Sequence, residues 1–354
     1  MKLGEIMRKI IILLLFLPLF LAGQNGPHRN GTTAMNFLEI GFGSSGLAMG
    51  EAYVSMAEDI SAIYWNPAGL AFMKHSEVQF SIQPWVVDIN TSFAGAGMVI
   101  PSLGTIAVGL IYLDYGQMDV LTVDYPEGTG EVFSASDYAF SLSYARKITN
   151  WFGFGANFKY IGETIQHMSA SALALDLGVR INTAFFSPTG ERIDGLKIGM
   201  SISNYGTRMS FSGQDMLNYI DIEPDEYGNY GYAQAEYKPE EWELPLIFRL
   251  GMSLNVMKIQ DHRITLALDA IHPNNNMETV NLGGEYELNL PAVGNFYLRG
   301  GYKALFLEDS EFGVTFGGGI QKLLMNNISL KIDYAYRSIG LLGDYHCYTF
   351  GFTF

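Results

Sequence analysis

The last eleven residues of the chain, 344–354, read D-Y-H-C-Y-T-F-G-F-T-F. Alternate side chains of a β-strand share a face, so His346, Tyr348, Phe350, Phe352 and Phe354 lie together. Chain ends of soluble proteins usually fray into water, which makes an aromatic ladder unusual there. A strand that closes a membrane barrel needs an apolar outer face, with aromatic residues near the lipid head groups. The segment therefore predicts a barrel-closing strand.

The other end of the chain has the layout of a secretory signal peptide. A basic start, with Lys2, Arg8 and Lys9, precedes an apolar run over residues 10–22. This run is shorter than the roughly 20 residues of a membrane-spanning helix. We expect cleavage after Gly23, export of the mature protein and location in the outer membrane of a Gram-negative cell.

The composition points to the same class of protein. Charged residues make up only 16% of the chain, against about 25% in ordinary soluble domains. Glycine is frequent, aromatic residues reach 14%, and the net charge is −15. Low charge without a long apolar helix indicates a membrane β-barrel. The acidic balance argues against nucleic acid, which is bound through Lys and Arg.

Alternating segments separated by turn residues run from residue 76 to the end of the chain. Most are 10–14 residues long, the length that a tilted strand needs to cross a bilayer. An even number of strands with both ends on one side suits an all-β, up-and-down antiparallel barrel. We predict fourteen strands, at 76–84, 91–100, 103–114, 133–146, 151–163, 168–181, 195–205, 244–257, 262–271, 277–289, 295–305, 311–321, 327–337 and 344–354.

Charged residues fall on one face of these strands. A sandwich in water would show the same alternation with its charged face outward, and alternation alone leaves both folds open. Strand length, the signal peptide and the terminal Phe354 favour the barrel. We interpret the charged residues as ion pairs that hold water or a plug, rather than as a catalytic cluster. The candidates for lining the lumen are Arg249, Arg263, Asp269, Arg299, Lys331, Asp333 and Arg337.

The connections between strands alternate in length. Those at 101–102, 147–150, 258–261, 290–294 and 322–326 are short, and 182–194 is the exception on that side. Residues 116–132 and 206–243 form long connections on the other side. The acidic loop, residues 206–243, carries nine Asp and Glu residues. Binding of a cation or a basic partner would suit it, and a solvated surface loop has the same composition.

Fourteen strands enclose more space than their own side chains fill. Residues 24–75 are rich in Gly, Ala and Ser and too few to bury a core alone. We therefore expect three parts: a signal peptide at 1–23, an N-terminal plug or hatch at 24–75 and a transmembrane barrel at 76–354. A short helix over 58–64 should end at Asn66 and Pro67, because a residue before proline avoids helical geometry.

The N-terminal part also resembles a known family. The blocks 46–52 (GLAMGEA), 57–59 (AED) and 64–70 (YWNPAGL) are similar to the opening of PorV/PorQ-like outer-membrane proteins, within the FadL-like superfamily of fourteen-stranded barrels. The resemblance implies a barrel whose lumen is plugged by its N-terminus. It also implies a plug or hatch motif at Gly46, Met49, Gly50, Trp65, Asn66, Pro67, Ala68 and Gly69.

The same resemblance implies one of two roles. The first is a docking or shuttle component of type IX protein secretion, which would bind exported cargo or other secretion proteins through the acidic loop. The second is a transporter of hydrophobic small molecules, such as long-chain fatty acids or hydrocarbons. A transporter predicts an apolar pocket continuous with Trp65 and Asn66, and glycine at 94–97 marks a candidate weak point in the wall. A passive structural barrel is a third reading.

Other classes of site have little support. Residues 41–46 match G-x-G-x-x-G but lack the βαβ unit of a dinucleotide site. The six histidines have no metal-ligand spacing, and no G-x-S-x-G element is present. We interpret Cys347 as a small residue that lines the inside of the barrel. We expect no catalytic residue, no cofactor and no metal, with outer-membrane lipid as the general partner.

Overall fold

The computed structural model describes residues 29–87, 89–225, 233–291, 293–307, 310–325 and 328–354. The predicted signal peptide at 1–23 and its cleavage site lie outside the described residues. Residues 29–75 are called the N-terminal segment below, and the fourteen barrel strands are called the wall.

A closed antiparallel barrel of fourteen strands forms most of the described chain, as the sequence predicts. Each strand pairs with the next, and the first pairs with the last through Val78 and Phe352 and through Phe80 and Phe350. The barrel strands are β1 (Glu77–Pro84), β2 (Asn90–Ile100), β3 (Gly104–Asp119), β4 (Val132–Thr149), β5 (Phe152–Ile165), β6 (Met168–Asn182), β7 (Lys197–Gly206), β8 (Ile247–Ile259), β9 (His262–Pro273), β10 (Thr279–Leu290), β11 (Gly294–Leu305), β12 (Val314–Met325), β13 (Ile328–Ser338) and β14 (Asp344–Thr353).

Three shorter strands lie in the connection between β7 and β8. Ser212–Gly213 pairs with the start of β6. Leu217–Ile220 and Ala233–Glu236 form a separate two-stranded hairpin. The sequence analysis did not predict this hairpin. It also predicted that the third strand ends at residue 114, whereas β3 continues to Asp119.

The two faces of the strands differ as the alternation predicts. Tyr348, Phe350 and Phe352 of β14 and the following Phe354 are exposed on the outside of the barrel, whereas Tyr345, Cys347 and Thr349 of β14 are buried. An apolar outer band suits lipid, and a polar inner face is the usual arrangement in outer-membrane barrels.

The two ends of the barrel are unlike. The chain enters β1 and leaves β14 at the same end, where Ser76 N donates to Phe354 O at 3.1 Å. We call it the short-turn end, because its connections are tight apart from the one between β6 and β7, which contains a 3₁₀ helix at Arg192–Asp194. The opposite, long-loop end carries the acidic loop, with a 3₁₀ helix at Gln214–Met216, and the β13–β14 connection, with another at Gly340–Leu342.

The N-terminal segment lies inside the barrel. It contains 3₁₀ helices at Asn36–Glu39 and Pro67–Phe72 and short α-helices α1 (Ser44–Ala48) and α2 (Ala62–Trp65). Helix α1 contacts β11–β14, and Pro67–Phe72 contacts β3–β6 on the opposite side of the barrel. No helix in the described residues is long and apolar enough to cross a membrane.

The prediction of a helix over 58–64 was wrong about the residue at which the helix begins. Asp59 Oδ1 accepts hydrogen bonds from Ser61 N (3.1 Å) and Ser61 Oγ (2.5 Å). This local bonding favours a turn over a helix, and α2 begins only at Ala62. Asn66 then takes an extended conformation, φ −163°, which ends the helix before Pro67.

The outward face of β13 provides a test of the membrane-spanning assignment. Ile332 lies near the middle of β13 and is exposed. We expect Ile332→Arg to lower the free energy of unfolding in liposomes by about 2–4 kcal/mol, because arginine is costly at the bilayer midplane. Ser338→Arg is the control, since Ser338 is exposed at the end of the same strand. Equal effects of both substitutions in a denaturant titration would contradict the placement of Ile332 in the middle of the bilayer.

Candidate functional site

The motif tryptophan packs against glycines of its own segment. Trp65 is buried, and its Nε1 donates to Phe42 O at 3.0 Å. A Cβ on Gly46 would lie 2.7 Å from Trp65 Cε2, and one on Gly41 would lie 2.8 Å from its Cη2. Both glycines are therefore needed for the ring to reach this position.

A second contact brings the backbone of the N-terminal segment directly against the backbone of the wall. Gly50 has φ +65°, and a Cβ on it would lie 2.6 Å from Tyr302 N of β11. Met49 packs on the facing Gly283 of β10. This part of the motif fixes the N-terminal segment directly on the wall, without intervening side chains on the strands.

Asn66 joins three pieces of the structure. Its Nδ2 donates to Val54 O and Val179 O, both at 3.1 Å, and its Oδ1 accepts from Ala68 N at 3.1 Å. The last bond caps the Pro67–Phe72 helix, in which proline takes the first position. Proline is favoured there because it needs no backbone donor. A Cβ on Gly178 of β6 would overlap Asn66 Oδ1.

Three carboxylates of the N-terminal segment bind basic residues of the wall. Glu51 Oε1 accepts from Lys303 Nζ and Arg337 Nη1, each at 2.6 Å. Glu58 accepts from Arg180, and from Lys197 Nζ at 3.1 Å. Asp59 Oδ2 accepts from Lys331 Nζ at 2.6 Å. The wall residues belong to strands on several sides of the barrel, so the three anchors hold the segment from different directions.

The electrostatics of the three anchors favour the ionised form. Burial alone raises the pKa of Glu51, Glu58 and Asp59, because it removes water from the charged form. The facing Lys and Arg side chains outweigh burial and hold the pKa of each carboxyl below its ordinary value. The three groups remain charged at neutral pH.

The structure places all seven predicted lumenal residues on the inner face of the wall. Five take part in ion pairs: Arg263 with Glu285 and Glu287, Arg299 with Glu285 and Asp333, Lys331 with Asp59 and Asp333, and Arg337 with Glu51.

The interpretation as ion pairs was wrong for the other two. Asp269 is buried, and its Oδ2 accepts from Tyr53 N at 2.7 Å and Val54 N at 2.8 Å. Asp269 therefore holds the backbone of the N-terminal segment instead of a cation. Arg249 donates to Ser203 Oγ at 2.9 Å and Tyr64 OH at 3.4 Å. No carboxylate of a described residue lies within ion-pair distance of it.

Several anchor residues escaped the sequence prediction. Arg180, Lys197 and Lys303 lie on inward positions of β6, β7 and β11. The alternation of the strands does indicate that these three residues face inward, because each shares a strand face with small or polar residues. Their partners Glu51 and Glu58 stand in the motif blocks but have no spacing rule that identifies them.

Two cavities lie on opposite sides of the N-terminal segment. The cavity at the short-turn end, about 380 Å³, is lined mainly by polar and charged groups, among them Glu58, Lys197 and Lys331. The cavity at the long-loop end, about 400 Å³, is mostly apolar. Trp65 and Asn66 line neither of these two cavities, whereas a transporter would predict an apolar pocket continuous with them.

The suspected weak point of the wall is fully paired. β2 pairs with β1 from Asn90 to Gly97 and with β3 along its whole length. Gly95 and Gly97 face inward, and a Cβ on Gly97 would lie 2.7 Å from Ile60 Cδ1. These glycines make room for the N-terminal segment and leave no opening between the strands.

The acidic loop is tied to the N-terminal segment at its base. Ala34 N donates to Glu243 O at 2.9 Å, and Met209 and Trp242 exchange two backbone hydrogen bonds. Beyond this base lies the hairpin of Leu217–Ile220 and Ala233–Glu236, and Tyr219 and Tyr237 are exposed there. The described residues contain no group of three or more His, Cys, Asp or Glu side chains placed to hold a metal ion.

Comparison with known proteins adds a family and a fold. The family model for the type IX secretion system protein PorV matches residues 23–238. No curated protein sequence matches the chain.

Solved structures of similar fold include three transport barrels. They are the toluene transporter TbuX of Ralstonia pickettii (10% identity, 88% of this chain and 97% of that chain, TM-score 0.51), the toluene transporter TodX of Pseudomonas putida (11%, 88% and 97%, 0.51) and the CymD monoaromatic hydrocarbon channel (10%, 90% and 98%, 0.53). At these identities the likeness is one of fold.

Removal of the Asn66 side-chain amide should loosen the N-terminal segment. We expect Asn66→Ala to destabilise the docked segment by about 1–3 kcal/mol, because buried partners lose their hydrogen bonds. Hydrogen exchange should rise in residues 44–73 while the strands stay protected. Asn218→Ala is the control, since Asn218 is exposed and bonds only within the hairpin region. Unchanged exchange in Asn66→Ala would contradict this role.

Acid should release the same segment. The folded pKa values of Glu51, Glu58 and Asp59 lie below the ordinary values of about 4. Their stabilisation is therefore complete above about pH 4 and is lost as the pH falls through the lower folded values. We expect the near-ultraviolet circular dichroism of the Tyr64–Trp65 pair, whose ring centroids lie 4.8 Å apart, to fade below about pH 4.

Glu58→Gln is the matched variant for the acid experiment, because it removes one titrating carboxyl and keeps the shape of the side chain. Its near-ultraviolet signal should be weaker at neutral pH and change less on acidification. A signal that stays constant from about pH 7 to pH 2 in the unmodified protein would contradict the expected release of the segment by acid.

Proposed function

The chain belongs to the family of the type IX secretion system protein PorV, and from this premise we propose that it is an outer-membrane docking component for protein secretion. In this proposal the barrel binds exported proteins or other secretion proteins at its long-loop end. The role is one of binding rather than catalysis.

The orientation follows from the usual arrangement of outer-membrane barrels, in which short turns face the periplasm and long loops face outward. By this rule the acidic loop is extracellular. Along the chain, the N-terminal segment starts at the base of that loop, where Ala34 contacts Glu243, and runs through the lumen to Ser76 at the short-turn end.

The occupied lumen is the observation that supports docking most directly. The N-terminal segment is anchored through Glu51, Glu58 and Asp59 and by the Asp269 carboxylate. A polypeptide has no free path through such a barrel. Contact with an exported protein therefore takes place at an end of the barrel, and the long loops offer the larger surface.

The hairpin of the acidic loop has the composition of a binding surface. Its described side chains include exposed aromatic residues, Tyr219 and Tyr237, of a type enriched in protein interfaces. Acidic residues surround them, including Asp215, Asp221 and Glu236. Complementary potentials steer partners together, so we infer a partner with a basic contact surface.

Transport of hydrophobic small molecules is the second candidate function. The apolar cavity of about 400 Å³ at the long-loop end favours it. The N-terminal segment separates this cavity from the polar one at the other end, so passage requires the segment to move. Transport therefore needs a second conformation, whereas docking uses the conformation described above.

A pull-down of the native barrel in mild detergent, with mass spectrometry of proteins and lipids, tests the two candidates. Docking predicts that envelope proteins and exported proteins are recovered with the barrel. A deletion strain should also retain surface proteins inside the cell. A barrel recovered alone, together with normal secretion in the deletion strain, would overturn the docking proposal.

Removal of the hairpin provides a sharper test. Tyr237 N donates to Met216 O at 2.9 Å, the bond that closes a four-residue β-turn, so residues 217–236 can be replaced by two glycines with little strain. We expect the barrel to stay folded, because the Met209–Trp242 contact remains, and to bind its exported partners at least about 10-fold more weakly. A variant with Asp221, Glu223 and Asp225 changed to Asn, Gln and Asn separates charge from shape. Full binding by the hairpin deletion would exclude this surface.

A further inference from the structure

The outward face of the wall carries charges of opposite sign at its two ends. Among the described residues of the barrel strands, the outward-facing Lys and Arg side chains are Arg146 of β4 and Lys322 of β12, both at the short-turn end. At the long-loop end the outward charges are acidic, as at Asp114 of β3 and Asp344 of β14. The short-turn end of the wall is therefore the one that attracts anions.

Arg146 lies beside side chains that face the lipid. Leu142 and Tyr144 precede it on the same face of β4, and both are exposed on the outside of the barrel. Its partner in the neighbouring strand is Phe154, which is also exposed. Arg146 thus stands at the lower edge of the apolar band, beside the barrel rather than beneath it. Lipid head groups occupy this level of a membrane, whereas a periplasmic protein reaches the end surface of the barrel.

Trp151 and Arg192 belong to the same edge of the band. Trp151 is 40% exposed in the β4–β5 turn, and its carbonyl oxygen accepts a hydrogen bond from Asn182 N at 2.8 Å. The guanidinium of Arg192 lies over the Trp151 ring, with Cζ 5.8 Å from the ring centroid. Tryptophan collects where a membrane meets water, so this pair marks the head-group layer. Phe154, which is paired with Arg146, lies about 10 Å along the chain from Trp151.

The β6–β7 connection, the one long turn at this end, holds Arg192 in place. Arg192 opens a 3₁₀ helix that also contains Asp194. The Asp194 carboxylate accepts hydrogen bonds from Lys258 Nζ at 2.9 Å and from Thr189 Oγ1 at 2.7 Å. It is therefore engaged elsewhere, and no carboxylate of a described residue lies within ion-pair distance of Arg146 or Arg192. Two fixed cations thus face the head-group layer without an anion from the chain.

We propose that Arg146, Trp151 and Arg192 bind the head group of an anionic phospholipid in the periplasmic leaflet. A guanidinium presents a fork of donors that matches the oxygens of a phosphate group. The acyl chains lie along the exposed Phe154 and Phe158 of β5. Two cations without an anion favour a head group with net negative charge over a zwitterionic one. The leaflet follows from the orientation given above, and the site needs no secretion partner.

Native mass spectrometry of the delipidated full-length barrel in a non-ionic detergent measures the binding of the first lipid. The barrel is titrated with dioleoylphosphatidylglycerol and separately with dioleoylphosphatidylcholine, which share their acyl chains and differ in net charge. We expect phosphatidylglycerol to bind about 10- to 30-fold more tightly, because each arginine near an anionic head group contributes about 5-fold. The preference should fall as salt is added, because exposed charges are screened.

The combined substitution of Arg146→Gln and Arg192→Gln tests the contact with the head group. This double variant should bind phosphatidylcholine as the unmodified barrel does and lose the preference for phosphatidylglycerol. Retained phosphatidylcholine binding shows that the barrel is folded. Lys322→Gln is the matched control, because Lys322 faces outward at the same end of the barrel but stands on β12, away from Trp151. It should keep the preference.

Three results would overturn the proposal: equal affinity for the two lipids, an unchanged preference in the double variant, or an equal loss in Lys322→Gln, which would indicate a diffuse attraction. A photoreactive residue at position 151 identifies the occupant in the native membrane. A crosslink to an anionic phospholipid supports the site, and a crosslink to a protein in its place refutes it. Neither measurement uses exported proteins or hydrophobic substrates, so failure of this site and failure of either proposed function are distinguishable.

Discussion

The ion pairs between the N-terminal segment and the wall are the interaction on which the rest of the structure depends. Fourteen strands leave a lumen that their own side chains do not fill. The chain fills it with a segment that carries Glu51, Glu58 and Asp59, and it places a cation opposite each one. Breaking one partner of a buried pair costs several kcal/mol, because the other charge stays buried. The pairs therefore fix one position of the segment.

Shape supports the same position. Gly155, Gly178, Gly283 and Gly301 lie on the inner face of the wall where the segment touches it, and a Cβ on any of them would overlap or crowd the segment. Two of these glycines face the Asn66–Pro67 corner, and two face the Met49–Gly50 turn. A shift of the segment would move side chains onto other parts of the wall, so shape and charge restrict it together.

The strands were predictable from sequence because the period of two is a local property. Lipid on one side and a polar lumen on the other act on every strand, so neighbouring residues along β13 already reveal the face of Lys331 and Asp333. The partners of the inward charges were not predictable. Glu51 and Arg337 are 286 residues apart in the chain, and alternation gives the face of a residue without its height or its neighbour. Asp269 shows the limit, because its partners are backbone amides that have no sequence signal.

The same anchors determine how much the structure would have to change for transport and for docking. Passage through the lumen requires release of three carboxylates, two backbone amides held by Asp269 and the contacts of Asn66. Docking at the long-loop end requires none of these changes. The bond between Ala34 and Glu243 also joins the base of the acidic loop to the fixed segment, which gives an otherwise exposed loop a rigid support. A surface that binds large partners benefits from such support, since less conformational entropy is lost on binding. For this reason the closed lumen favours the docking role that we propose over transport.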